Sequence, residues 1–140
     1  MIPTGELVDV TSTPFDFRTM KTIGDEIDVD DVQLKYGQGY DHNFALDGFD
    51  GCLQKVASVE EPTTGRKMDV YTDQPGLQFY AGNCITPQTG KGDASYGKRS
   101  GLCLETQCFP DAINQPQFQN VIYGPDRPYK TTTVYRFYNE

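Results

Sequence analysis

The sequence predicts an all-β protein built as an antiparallel β-sandwich. Short runs in which apolar and polar residues alternate recur along the chain, and turn-forming residues separate them at regular spacing. The 140 residues include 14 glycines and 9 prolines, a composition that favours turns and strands over helices. Since the length suits one domain and no internal repeat or linker is present, we expect residues 1–140 to form a single domain.

Apolar residues at alternate positions indicate where the strands lie. The predicted strands are residues 6–10, 15–18, a strand entered at Phe44, and then 53–59, 66–72, 77–82, 102–104, 118–123 and 130–138. The pair 53–59 and 66–72 flanks a turn and predicts a hairpin. Residues 86–100 are expected to form a long polar loop, and Ile23, Ile27 and Val32 predict one face of a short helix within 23–32.

The charge of the chain limits its binding partners. A net charge of −8 argues against nucleic acid and anionic membrane surfaces as partners, because both require a basic surface, and it suits a neutral ligand. No apolar run approaches the roughly 20 residues of a membrane-spanning helix. The N-terminus lacks the basic and apolar regions of a signal peptide, so we expect a cytoplasmic protein without membrane partners.

The cysteines and acidic residues provide no strong metal pattern. Cys52, Cys84, Cys103 and Cys108 are even in number, which permits two disulfides, but their spacing and the absence of a leader predict reduced, mostly core cysteines. Their spacing does not match a zinc ribbon. The acidic residues of 25–31 are interpreted as a solvated surface, with calcium the less favoured alternative because the ligand order of an EF-hand is absent. We therefore expect no metal site.

One carboxylate follows a short apolar run. Leu102, Cys103 and Leu104 predict a buried strand that ends in Glu105. A carboxyl group at the end of an apolar strand tends to have a raised pKa, so that it can accept a proton near neutral pH. The alternative is that Glu105 is a surface residue on an edge strand.

Two further stretches carry polar side chains suited to a ligand. Residues 37–44 hold two glycines followed by Tyr40, Asp41, His42 and Asn43, as is typical of a binding loop on a rigid scaffold. His42 is the single histidine of the chain and is either catalytic or a hydrogen-bonded structural residue. In 77–82 we expect Leu77, Phe79 and Ala81 to face one way, with Gln78 and Tyr80 facing the other. The two polar side chains either suit hydrogen bonding and stacking with a sugar or form the exposed face of an antiparallel sheet.

Taken together, these stretches resemble the aldose 1-epimerases, also called galactose mutarotases. The matching blocks are IPTGE at 2–6, FDFR at 15–18, GYDHNF at 39–44, TDQPGLQFYAGN at 72–83, LETQ at 104–107 and FPDAIN at 109–114. Their order and spacing agree from end to end, so the resemblance covers the whole chain. It implies a large, many-stranded β-sandwich whose members interconvert the α and β anomers of hexoses without a cofactor.

The resemblance also implies roles for three residues. Glu105 matches the general base that removes the proton of the C1 hydroxyl, and Asp41 and Gln78 match residues that hydrogen-bond the sugar hydroxyls. Ring opening requires a base on O1 and an acid on the ring oxygen, acting together. A neutral sugar such as galactose or glucose is held by carboxylates and amides at fixed points.

The chain departs from the family pattern in its length and in its histidines. Family members are more than twice as long, and a histidine in their N-terminal half is the general acid, with a second histidine that helps to bind the substrate. His42 matches neither. The sequence therefore predicts the C-terminal portion of an aldose 1-epimerase-like domain, weakly active or inactive alone and paired with the missing half or a second chain. The alternative is a non-catalytic carbohydrate-binding or assembly module derived from the family.

Overall fold

Strands dominate the computed structural model, which describes residues 2–139. The strands are β1 (Asp41–Ala45), β2 (Gln54–Glu61), β3 (Arg66–Thr72), β4 (Gly76–Tyr80), β5 (Gln88–Thr89), β6 (Ser95–Tyr96), β7 (Cys103–Gln107) and β8 (Thr133–Asn139). The helical elements are α1 (Val32–Gly37) and two 3-10 helices, Lys91–Asp93 and Ala112–Asn114. Strand β2 pairs with β3, β3 with β8, and β5 with β6, all antiparallel. The predicted all-β, antiparallel class is confirmed.

Within residues 2–139 the strands form two three-stranded sheets, ordered β1-β4-β7 and β2-β3-β8, and the short ribbon β5-β6. The chain divides into two compact units. The first holds the residues up to Asn43 together with Gln78–Cys103, and the second holds Phe44–Leu77 together with the residues from Leu104 onward. No helix in the described part of the chain is long and apolar enough to cross a membrane.

The second unit contains the predicted hairpin, which is confirmed as β2 and β3. Strand β3 matches the predicted residues 66–72 and lies between β2 and β8 in its sheet, so its centre is buried at Asp69 and Val70. Asp69 accepts the Ser58 hydroxyl at 2.7 Å, and this hydrogen bond lowers the pKa of the carboxyl group. A β-bulge between Lys55 and Ala57 shifts the register of β2.

A cluster of aromatic rings forms the core of the first unit. The ring of Phe79 stacks on Tyr40 at 5.3 Å between centroids, and Phe17 lies edge-on to both, at 5.6 and 5.0 Å. Tyr40 is fully buried, and its hydroxyl donates to the backbone carbonyl of Pro14 at 2.9 Å. Burial raises the pKa of Tyr40 to about 12. Tyr40 thereby ties the N-terminal segment to β4.

The strand predicted at 6–10 is absent, and the predicted helix is misplaced. The Asp9 carboxylate accepts the Thr11 backbone N–H at 2.8 Å, so a side chain turns the chain where a strand was expected. Residues 23–28 form turns, and α1 begins only at Val32 because the Asp31 carboxylate caps the N–H groups of Gln33 and Leu34. The residues 15–18 also form no strand, although both phenylalanines pack on Tyr40.

Two more expectations from the sequence are wrong. Residues 118–123 form no strand, because the Arg127 guanidinium donates to the backbone carbonyls of Asn120 and Ile122 at 2.7 and 3.0 Å. These carbonyls are thus satisfied without a neighbouring strand. The loop predicted at 86–100 contains the β5-β6 ribbon, whose turn uses Gly92 at φ 65.

The cysteines are not core residues. All four are free thiols; Cys52, Cys84 and Cys103 are exposed and Cys108 is half-buried. Cysteine is often buried, but a strand position fixes its side chain to one face, and Cys103 lies on the exposed face of β7 next to the buried Leu104.

The aromatic cluster should dominate the stability of the first unit. We expect Phe79→Ala to lower the free energy of unfolding by about 3–5 kcal/mol, because it empties a packed site in which the side chain is 7% exposed. Phe137→Ala is the matched control; that side chain is 74% exposed, and its loss should change stability by less than about 0.5 kcal/mol. Urea unfolding followed by circular dichroism measures both. Equal effects of the two substitutions would contradict the assignment of the core.

Candidate functional site

Asp41 and Gln78 meet through a hydrogen bond although they are 37 positions apart in the sequence. The Gln78 Nε2 donates to Asp41 Oδ1 at 2.8 Å, and both residues are half-buried. Asp41 is the first residue of β1 and Gln78 is the middle residue of β4. The structure therefore brings together two of the three residues that the sequence analysis assigned to the site.

The pairing of β1 with β4 explains how this contact arises. The Tyr40 carbonyl accepts the Ala81 N–H, and the Leu46 N–H donates to the Pro75 carbonyl, both at 2.9 Å. Each step forward along β1 thus matches one step back along β4, as in an antiparallel pair. Asp41 then lies on the same face as Gln78, one diagonal position away, within reach of a long side chain.

Alternation along β4 separates a polar face from an aromatic face. Leu77, Phe79 and Ala81 are buried, whereas Gln78 and Tyr80 are half-buried, so the predicted division of this strand is confirmed. The Tyr80 hydroxyl accepts the Cys84 N–H at 2.9 Å, which fixes the ring on the polar face.

A tight turn places Asp41 at the start of β1. Gln38 and Gly39 both have positive φ, 56° and 128°. The buried Asn83 holds this turn, because its Nδ2 donates to the carbonyls of Gly37 and Tyr40 at 3.0 and 2.8 Å. A Cβ added to Gly39 would collide with Asn83 Oδ1. Glycine is therefore required at this position both by the positive φ and by the lack of space.

A charged pair supports the same turn from outside. The Arg99 guanidinium bonds both carboxylate oxygens of Asp28, at 2.6 and 2.7 Å, and also donates to the Gln38 carbonyl at 3.4 Å. Sequence reasoning did not single out Asn83 or Arg99. The sole signal for Asn83 is its position directly after Gly82 at the end of a strand, which is typical of a turn residue.

His42 packs against Phe15 rather than lying on the polar face with Asp41. Its ring contacts Phe15 edge-on at 4.7 Å, and its Nδ1 accepts the backbone N–H of Asp41 at 3.0 Å. Burial lowers the pKa of His42, and the charges of Asp41 and Asp31 and the backbone of Gln33 act in the opposite direction. This environment is that of the hydrogen-bonded structural residue, the alternative to a catalytic histidine.

Glu105 lies in β7 and is exposed. The expectation of a buried strand ending in this carboxylate is wrong, since β7 continues to Gln107 and Leu104 alone is buried among residues 102–104. Adjacent residues of a strand face opposite sides, so neighbouring apolar residues need not be buried together. Two contacts hold the strand beside Glu105: the Tyr135 hydroxyl donates to the Leu104 carbonyl at 2.6 Å, and the hydroxyls of Thr106 and Thr133 are hydrogen-bonded.

Among residues 2–139, no group of three or more histidine, cysteine, aspartate or glutamate side chains is arranged to hold a metal ion. The first unit thus offers a paired carboxylate and amide with a half-buried tyrosine on the same face. The second unit separately offers the exposed Glu105 carboxylate on an anchored strand.

Comparison with known proteins decides the family. The family model described as aldose 1-epimerase matches residues 1–136. The chain belongs to the aldose 1-epimerase family. It is 43% identical over 138 residues to the galactose mutarotase of Bos taurus, and 44% identical over 140 residues to that of Homo sapiens. The aldose 1-epimerase of Escherichia coli is 36% identical over 141 residues.

These relatives are much longer than the chain. The matches cover 98% of the chain but 39% of the bovine and human proteins, so the chain spans about two fifths of their length. The solved structure of a galactose 1-epimerase from Lactobacillus acidophilus matches with a TM-score of 0.72 at 30% identity, covering 99% of this chain and 39% of that one. An aldose epimerase homologue from C. elegans shares the fold, with the same TM-score at 22% identity over 99% of this chain and 40% of its own.

The turn that places Asp41 should be intolerant of any side chain at Gly39. We expect Gly39→Ala to lower the free energy of unfolding by about 1–3 kcal/mol, because it combines backbone strain with the collision at Asn83. Gly97→Ala is the control, since nothing lies within 4 Å of an added Cβ there and no positive φ is required. It should leave stability unchanged or slightly increased. Urea midpoints that shift equally for both variants would contradict this.

Proposed function

We propose that this member of the aldose 1-epimerase family takes part in the interconversion of the α and β anomers of a hexose such as galactose or glucose. In this proposal Glu105 is the general base, and Asp41 and Gln78 bind the sugar hydroxyls. The assignment of Glu105 follows from the family motif. The observation that carries the proposal is the hydrogen bond of 2.8 Å between Gln78 and Asp41.

This bond makes a prepared site for a polyol. It orients the Asp41 carboxylate while using one of its roughly four acceptor positions, and it uses one of the two Nε2 protons of Gln78. The second carboxylate oxygen, the amide carbonyl and the other amide proton thus complement adjacent hydroxyl groups. A hydrogen bond to a charged group contributes about 1.5–3 kcal/mol, enough to make this pair important for sugar affinity.

The proposed reaction requires two proton transfers and no cofactor. Glu105 takes the proton of the C1 hydroxyl as the bond between C1 and the ring oxygen breaks, and a general acid protonates the ring oxygen to give the open aldehyde. Rotation about the bond between C1 and C2 and closure on the other face of the carbonyl give the second anomer, with both proton transfers reversed. The exposure of Glu105 leaves its carboxylate accessible to a sugar.

The general acid comes, in this proposal, from outside residues 1–140. His42 is the single histidine of the chain, and its ring is occupied by Asp41 and Phe15. We propose that the chain corresponds to the C-terminal portion of an aldose 1-epimerase-like domain, and that a further part of the polypeptide or a second chain supplies the acid. A cytoplasmic location belongs to the same proposal, because four free thiols suit a reducing compartment.

The role of Glu105 can be tested with an added acid. We expect the chain alone to accelerate the mutarotation of α-galactose weakly, as followed in a polarimeter. Added imidazole should increase the protein-dependent rate, once the catalysis by imidazole itself has been subtracted. Glu105→Gln should reduce that rate by about 100-fold or more, to the background, because general base catalysis contributes on this scale.

The control for this substitution is Glu60→Gln. Glu60 is also an exposed strand glutamate, and it pairs at 3.5 Å with the half-buried Lys67 in the adjacent strand. Because an ion pair of this kind is weak, the loss of the Glu60 charge should leave the rate unchanged. A Glu105→Gln chain as fast as the unmodified one would overturn the assignment of the base. A rate equal to that of a full-length relative without imidazole would overturn the requirement for an outside acid.

Sugar binding is a separate test. We expect Gln78→Ala to weaken galactose binding about tenfold or more, because it removes both an amide contact to the sugar and the bond that orients Asp41. Gln88→Ala removes an exposed glutamine from β5 in the same unit and should not change the affinity. Titration followed by NMR chemical shifts measures both dissociation constants; equal constants would place the sugar elsewhere.

The second candidate is a carbohydrate-binding or assembly module without catalysis. The engagement of His42 favours it, because no histidine of this chain is left to act as the acid. This candidate predicts galactose binding that depends on Gln78, with no protein-dependent mutarotation even when imidazole is added. Size-exclusion chromatography would show whether such a module self-associates or binds a second chain.

A further inference from the structure

The backbone N–H of Asp41 points away from the neighbouring strand. Residues 40 and 46 form the hydrogen bonds of this strand pair, with Ala81 and Pro75. Backbone groups alternate in direction along a strand, so the N–H of residue 41 points to the opposite side. Strand β1 is an outer strand in the order β1-β4-β7, and within residues 2–139 no strand lies on that side of it. Within the described residues this N–H therefore has no strand carbonyl to donate to.

The imidazole of His42 is the partner of this N–H. Its Nδ1 lies 3.0 Å from the Asp41 nitrogen and accepts its proton. A ring nitrogen can accept only when it is unprotonated, so the neutral ring must carry its proton on Nε2. Phe15 holds the ring edge-on, and there is little space beside it, because a Cβ added to Gly37 would lie 3.1 Å from Cε1.

Protonation of His42 would reverse this interaction. With a proton on both nitrogens, Nδ1 would face the Asp41 N–H as a second donor, and the bond would be lost. Burial lowers the pKa of His42; the charged groups that act on it are Asp41 on its own strand and Asp31 at the start of α1, and they favour the protonated form. Since burial is the largest effect, the neutral form is retained in the folded chain at and above the ordinary pKa of histidine, near 6.5.

We propose that His42 is a positioning residue for the sugar site, and that its neutral imidazole fixes the backbone of Asp41 so that the carboxylate meets Gln78. His42 touches neither the sugar nor the reacting atoms in this scheme, since it lies on the aromatic face of the strand pair. It acts through Asp41. This role rests on the proposed function, in which Asp41 binds the sugar.

Two variants of His42 distinguish the effect of its hydrogen-bond acceptor from the effect of its ring. His42→Asn places an amide oxygen on Cγ, where the histidine has Nδ1, and so keeps an acceptor at that point. His42→Phe keeps a ring of similar shape without any acceptor. We expect His42→Phe to weaken galactose binding about tenfold, as for the loss of a neutral hydrogen bond and the displacement of Asp41, and His42→Asn to stay within about twofold of the unmodified chain.

Readouts that need no sugar test the same role. In the unmodified chain at pH 7.5, nitrogen-15 NMR of the histidine ring should show the tautomer with the proton on Nε2. The side-chain amide signals of Gln78 should collapse toward the values of an exposed glutamine in His42→Phe and stay in place in His42→Asn. Lowering the pH from 7 to 5 should displace these signals in the unmodified chain and leave them unmoved in His42→Asn.

The outcomes distinguish this role from the proposed function. The positioning role would be overturned by a proton on Nδ1, or by Gln78 signals that do not change in His42→Phe. Equal losses of galactose affinity in both variants would also overturn it, because they would assign the effect to the packing of the ring. If the unmodified chain binds no galactose, the proposed function fails, and the tautomer and the Gln78 signals still decide whether His42 fixes Asp41.

Discussion

The strict alternation of side chains along β1 and β4 is the constraint on which the candidate site depends. Because successive residues of a strand face opposite sides, burying Phe79 with Tyr40 directs Gln78 to the other face. Antiparallel pairing places Asp41 diagonally across from Gln78 on that face. A shift of one residue in the register would exchange the two faces, exposing the aromatic rings and burying the carboxylate, so the hydrophobic energy of the core enforces the geometry of the site.

Side chains also bind the backbone at the start of β1: they satisfy three groups without a strand partner and add a second hydrogen bond to the Tyr40 carbonyl, which already accepts the Ala81 N–H. Asn83 donates to the carbonyls of Gly37 and Tyr40, Arg99 to that of Gln38, and His42 accepts the N–H of Asp41. In the proposed sugar site, a carboxylate placed by these side-chain contacts would lose little further freedom on binding, and preorganisation of this kind reduces the entropic cost of binding.

The sequence predicted well those features that alternation alone determines. The all-β class, strand β3 and the two faces of β4 were correct, because a half-buried strand leaves a period-two pattern that no other element reproduces. The expectations failed where a single side chain decided the outcome. Asp9 turns the chain in place of a strand, Asp31 delays the start of the helix, and Arg127 satisfies carbonyls that a strand would have used. Such contacts depend on the position of one polar group, which leaves no periodic pattern to read.

The site was predictable in part for the same reason. The face shared by Gln78 and Tyr80 follows from the pattern, but the bond between Gln78 and Asp41 spans 37 residues and requires the pairing of two strands that the sequence does not connect directly. For Glu105, the apolar run before it suggested burial, yet a strand with one buried face and one exposed face presents its carboxylate to solvent. Asn83 and Arg99 could not be chosen from their residue types, since an amide after a glycine and a basic residue in a polar loop are common in any surface turn.

The proton balance of the proposed reaction sets what this chain can contribute. Opening a pyranose ring moves one proton from O1 and another to the ring oxygen, so one carboxylate cannot complete the step in both directions without a second group. The resemblance implies that the acid of the family is a histidine, and the one histidine of this chain uses Nδ1 to accept the Asp41 N–H while its half-buried ring packs edge-on against Phe15. A half-buried, neutral imidazole that accepts a hydrogen bond through Nδ1 cannot take up a proton there without breaking its bond to the backbone N–H of Asp41, the residue proposed to bind the sugar. Under the proposed function, His42 therefore cannot both hold the Asp41 backbone and serve as the acid, and the proposed acid lies outside residues 1–140.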